Sequence, residues 1–141
     1  MGYHASAALQ GAVYHCLRGD PALTGLVGDA IYDALPVAPP AGVYVSLGPE
    51  EVRGFADSSG SASRHDFVVS VLAGSEEEAG FRAVKEAAMA VSEALEGADL
   101  TTDTGRVAGL WFLRARARRA GNGAERRVDL TFRALIDLVE E

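Results

Sequence analysis

Val107-Ala108-Gly109-Leu110-Trp111-Phe112-Leu113-Arg114-Ala115-Arg116-Ala117-Arg118-Arg119 and Glu125-Arg126-Arg127-Val128-Asp129-Leu130-Thr131-Phe132-Arg133-Ala134-Leu135-Ile136-Asp137-Leu138 flank Gly121-Asn122-Gly123. Two alternating segments around Asn-Gly read as a hairpin closed by a two-residue type I′ turn. That turn sets Arg118 opposite Arg127, Arg116 opposite Asp129, Arg114 opposite Thr131 and Phe112 opposite Arg133. On the other face it sets Ala117 against Val128, Ala115 against Leu130, Leu113 against Phe132 and Trp111 against Ala134. A slip of one residue would oppose polar to apolar side chains throughout, so the pattern favours this register. One face is a core, in which Trp111 is expected to sit. The other face is polar and basic.

Upstream, Ser75 reads as an N-cap with Glu78 completing a capping box, and Glu76, Glu77 and Glu78 stand where a helix dipole favours anions. Phe81, Val84, Ala88, Val91 and Leu95 step by three and four along one face. The helix runs to about Glu96, and Gly97 ends it. Asp66 to Ala73 reads as a strand with apolar residues on both faces, which fits a strand covered on both sides or partly by another subunit. Val43 to Leu47 alternates as a further strand.

Between these strands, Gly54 to Arg64 is rich in turn formers. Asp57, Ser58, Ser59, Gly60 and Ser61 have little to bury, so residues 54–64 are expected to be a solvated loop or an arm that orders against a neighbour. At the start, Ala5 to Leu17 forms a helix through Leu9, Ala12, Val13, Cys16 and Leu17. Asp20-Pro21 caps a second short helix to Val27. Ile31 to Leu35 is extended, and Pro36, Pro39 and Pro40 stiffen the link that follows. The expected fold is therefore a single α+β domain over residues 1–141. It has a mainly antiparallel sheet of about four strands, with an N-terminal helix and one long helix packed on it.

Composition narrows the function. At 141 residues with 48% hydrophobic side chains the chain can bury a real core. It holds no run of about 18 apolar residues for a membrane span. The first residues carry no basic and apolar signal pattern. Cys16, the single cysteine, cannot form an intramolecular disulfide. His4, His15 and His65 lie in no metal-ligand spacing, so no metal or other cofactor is expected. Gly-x-Ser-x-Gly, Gly-Lys-Ser/Thr and the dinucleotide fingerprint are all absent. Glu50-Glu51 and Glu140-Glu141 do not converge, because neighbours on an extended chain point apart. No catalytic residue is expected.

The formal charge is −7, yet eight of thirteen basic residues lie between Arg106 and Arg133. Arg114, Arg116, Arg118, Arg127 and Arg133 share one face of the expected hairpin. Three readings stand open: a solvated face, a contact with acidic residues of another subunit, and a contact with DNA phosphates. Trp111 joins these arginines as a subunit-interface candidate should it be exposed.

The whole order of motifs resembles the tail-completion, or tail terminator, family of tailed phages and gene transfer agents, similar in role to the lambda tail terminator. The resemblance rests on Ala8-Leu9-Gln10-Gly11-Ala12-Val13-Tyr14, Asp20-Pro21-Ala22-Leu23 and the strand after the Pro-Pro link. It continues through Ala87-Ala88-Met89-Ala90, Gly97-Ala98-Asp99-Leu100 and Gly105-Arg106-Val107, and closes on Val128-Asp129-Leu130-Thr131-Phe132-Arg133-Ala134-Leu135. It implies a structural virion protein at the neck of the particle. Copies would form a homohexameric ring that terminates the tail tube and meets the tail tube protein and a head-side connector or stopper. DNA would pass through the lumen without specific binding. The alternatives are a head-side stopper or minor tail protein of the same particle, or a small monomeric binding module.

Overall fold

The computed structural model describes residues 3, 5–57, 60–74, 80–100, 102, 105–120 and 125–138. Helix α1 spans Ser6–Arg18, α2 Pro21–Val27 and α3 Phe81–Leu95. Strand β1 is Ile31–Tyr32, β2 Val43–Asp57, β3 Gly60–Ala73, β4 Gly105–Ala120 and β5 Glu125–Leu138. The fold is α+β, as the sequence indicates, with a sheet of five strands in the order β1-β2-β3-β5-β4. The fifth strand is the two-residue β1, which pairs parallel to β2 through Ile31 and Val45. The other neighbours pair antiparallel.

Local chemistry accounts for the elements. The Asp20 side chain accepts a hydrogen bond from the Leu23 amide at 3.0 Å, and Pro21 occupies the first helical position, where no amide hydrogen is needed. Gly97 follows α3 with φ of 75°, a left-handed conformation that favours glycine. Its amide donates to the Leu110 carbonyl at 3.1 Å, which ties the helix end to β4.

All three helices pack on one side of the sheet. Leu9, Val13, Leu17, Leu23, Val84, Val91 and Leu95 meet Val45, Val69, Val71, Val128, Leu130, Phe132 and Ile136 in one core. Phe67 stacks on Phe132 with centroids 5.7 Å apart, and Phe112 meets Phe132 edge-on. The opposite side of the sheet carries no helix among the described residues. Tyr44 and Leu72 are nevertheless buried there, with Tyr32 edge-on to Tyr44. The expectation that β3 is covered on both faces holds at Leu72.

Three expectations need correction. Residues 54–57 and 60–64 are not loop: they extend β2 and β3 into a long hairpin that runs to the Asp57–Gly60 pair. Serine and glycine satisfy the ladder with backbone groups, which hydrophobic alternation does not reveal. Ser58 and Ser59 of the expected arm lie outside the described residues. So do the Ser75 cap with Glu76, Glu77 and Glu78, and the turn at Gly121-Asn122-Gly123; the described helix starts at Phe81.

The second correction is the hairpin register. Arg118 to Arg114 pair as expected, from Arg127 to Thr131. The register then shifts between Phe112 and Arg114, so Phe112 faces Phe132 and Trp111 faces Arg133. The third follows from it. Trp111 leaves the core for the basic face, where it is 38% exposed. The bulge at Leu113 turns the strand by one residue and swaps the faces beyond it.

A candidate assembly surface

The helix-free face of the sheet carries the arginines singled out from sequence, and the structure divides them into two groups. Asp129, on β5, is the centre of the first. It accepts from the Ser70 hydroxyl at 2.6 Å, from Arg127 Nε at 2.8 Å and from Arg118 Nε at 3.4 Å. Arg127 also donates to the Ser70 oxygen at 3.3 Å. Arg118 and Arg127, directly opposed across the hairpin, are thus held together by one carboxylate. Burial works to raise the Asp129 pKa, but the bonds from Ser70 and Arg127 and the two positive charges hold it below the ordinary value. Arg116 stands opposite Asp129 in the ladder, yet the ion pairs go to the arginines two rungs away, the next pair on the same face.

Arg133 forms the second neutralised site. Its guanidinium makes a forked contact with Asp66 on β3, at 2.8 and 3.0 Å. Those bonds lower the Asp66 pKa and raise that of Arg133. Arg114 and Arg116 are exposed and form no ion pair among the described residues. On the helix-free face of β4 they are the cations left for an external partner.

Trp111 lies beside them in a fixed pose. A β-carbon on Gly109 would fall 2.6 Å from Cζ3 of the indole, so the ring rests on the glycine backbone. The exposed Phe55 adds a second aromatic to this face, with Arg64 5.9 Å from its ring centroid. The face therefore combines aromatic rings with arginines, a composition suited to protein interfaces.

A buried relay on the helix side was not foreseen. Ser63 Oγ lies 2.8 Å from His65 Nε2, and His65 Nδ1 lies 3.1 Å from Glu50, which also accepts from the Ser6 hydroxyl. The order Ser-His-Glu matches that of a hydrolase triad. Here Ser63 and His65 are completely buried, so in this conformation no substrate carbonyl can reach the hydroxyl. What the relay does do is join α1 to the β2–β3 hairpin. Burial tends to raise the Glu50 pKa, but the bonds from His65 and Ser6 bring it below its ordinary value. The sequence signal was the Ser63–His65 spacing of two, which puts both on one face of a strand. Cys16, on α1, approaches the Ala94 carbonyl at 3.5 Å, and burial, then Asp20, raises its pKa. Among the described residues no group of three His, Cys, Asp or Glu is arranged to hold a metal ion.

Comparison with known proteins gives this surface its context. The family model for tail completion protein gp17 matches residues 11–137. A solved chain from the virion of a native gene transfer agent particle is similar in fold and sequence. The TM-score is 0.87 and the identity 53%, over 96% of this chain and 98% of that one. No curated protein matches the sequence. The class so defined is the structural proteins of virion tails. The chain belongs to the tail completion protein gp17 family.

Proposed function

We propose that copies of this chain close into a ring, homohexameric by family resemblance. The ring terminates the tail tube of a phage-like gene-transfer particle and joins it to the head-side connector or stopper. The observation that carries the reading is the unlike charge of two surfaces on one molecule. Arg114 and Arg116 stand on the sheet face with no ion pair among the described residues, beside exposed Trp111. The helix side of a chain of net charge −7 displays Asp29, Asp33, Glu86, Glu93 and Glu96 to solvent. A closed ring needs such heterologous contacts, in which one surface meets a different surface of the next copy. Arginine suits an interface of that kind because it loses little hydration on pairing. The net negative subunit also repels DNA sliding through a lumen. The role is structural, and no residue is assigned to catalysis.

Deleting the gene tests the reading in the particle. The expected products are heads without tails and tubes that are overlong or unjoined. Normal, joined particles in the deletion strain would refute it.

A further inference from the structure

We propose that the proline-stiffened link between β1 and β2 docks, in the ring, into an apolar groove at the far edge of the next copy. The inference rests on the ring reading above and adds an edge-to-edge contact to it. The link carries Leu35 and Val37, both exposed, with Val37 wholly so. Pro36, Pro39 and Pro40 fix three of its φ angles, so less freedom is lost on docking. Two large apolar side chains presented on a stiff loop lack an intramolecular use.

The groove lies between α3 and the end of the hairpin β4–β5. It measures about 410 Å³ and is lined by Met89, Phe112, Ala115, Ala117 and Leu130, with Lys85 among its lining residues. The helix does not reach over this edge of the sheet, so Ala115, Ala117 and Met89 are exposed although they face the core side.

Placement makes the two parts complementary. The link enters and leaves the sheet at the β1–β2 edge, and the groove sits at β4, the opposite edge. They share a level along the strands. Ala117 is in line with Val128, Val71 and Val45, and Ala115 with Leu130, Val69 and Leu47. The link leaves β1 beside Ser46 and returns at Val43. The link starts on the helix side, where Gln10 of α1 donates to the Asp33 carbonyl at 3.3 Å, and the groove is on that side because α3 lines it together with Ala115, Ala117 and Leu130. Rotation about an axis near the strand direction therefore carries the link of one copy to the groove of the next without an axial rise, as closure requires. The charges agree as well. Exposed Asp33 precedes the apolar pair, and Lys85 lines the groove.

Cysteine pairing tests the contact in the full chain and in assembled particles. In a Cys16→Ser background, Val37→Cys and Met89→Cys are combined and oxidised mildly. The control combines Phe55→Cys with Met89→Cys. The proposal expects disulfide-linked multimers up to the ring number for the first pair and monomers for the second. Val37→Asp should weaken self-association about tenfold or more, the scale of one lost apolar side chain, with an unchanged circular dichroism spectrum. Rings that persist with Val37→Asp, or that give no Val37–Met89 cross-link, would overturn the contact and leave the ring reading standing. Cross-linking of Met89→Cys to a different protein in the particle would also overturn it. A wild-type chain that forms no ring in solution or in the particle would end both.

Discussion

Asp129→Ala removes the carboxylate that holds two opposed arginines, and its cost can be worked from the structure. Three donors converge on Asp129. The Arg118 bond is long, at 3.4 Å, and that side chain is two-fifths exposed, so water replaces much of it. The Arg127 bond is short and three-quarters buried, and a charged hydrogen bond of that kind is worth about 1.5–3 kcal/mol. Ser70 is buried and loses its acceptor, which adds a penalty of about 1–3 kcal/mol reduced by its remaining contact with Arg127. Repulsion between Arg118 and Arg127, no longer screened, adds a few tenths. We expect a loss of about 2–4 kcal/mol, or a melting point lower by on the order of 10 °C. Asp129→Asn keeps an acceptor for Ser70 and should lose about half as much. Asp137→Ala is the control, because the Arg106–Asp137 pair is largely exposed and should cost about 0.5 kcal/mol or less. Urea denaturation followed by circular dichroism measures all three. A cost for Asp129→Ala no larger than that for Asp137→Ala would refute the reasoning and make the whole face a set of solvated charges.

Further predictions follow from the same contacts. Arg116→Glu should leave the monomer folded, with a melting point lower by about 4 °C or less because the new carboxylate faces Asp129 across the ladder, while ring assembly is lost in native mass spectrometry; unchanged assembly would show that this arginine only meets water. Gly109→Ala should push the indole of Trp111, the single tryptophan, off the backbone, seen as a red shift of its fluorescence; an unshifted spectrum would contradict the packing. Stability should also depend on acid in a defined direction. Asp129, Asp66 and Glu50 all titrate below their ordinary values in the fold. Their contribution is therefore complete above about pH 4.3, the ordinary carboxylate range, and is lost as pH falls through the lowered values. Denaturation midpoints that stay flat below pH 4 would count against these bonds, and Asp129→Asn should flatten part of the decline.

Much of this fold is legible in the sequence because apolar spacing is imposed by the core. The stripes of α1 and α3, the Asp20-Pro21 cap and the alternation of β5 all serve one buried face, and the structure keeps them. The rest depends on contacts between segments far apart in the chain. Gly54, Ser61 and Ser63 look like loop because their side chains do not alternate in hydrophobicity, yet their backbones complete the hairpin. The bulge at Leu113 leaves no local mark, since Leu110, Trp111, Phe112 and Leu113 are all apolar and either alternate could face the core. It decides whether Trp111 lies in the core or beside Arg133. The expected register already set Asp129 among the arginines, opposite Arg116, but not as the acceptor of Arg118 and Arg127; the counter-ion role of Asp66 was out of reach. The arginines were visible as a cluster, but Asp66 meets Arg133 across strands that only the sheet order brings together. His65 and Glu50 meet in the same way across β2 and β3.

The most direct test of the central claim is a map of the intact particle at the junction of head and tail, in which the number of copies and their symmetry can be read. The account predicts a closed ring of this chain at the end of the tube, each copy touching the next through unlike surfaces. A single copy there, or a ring position filled by another protein while this chain sits elsewhere, would contradict it.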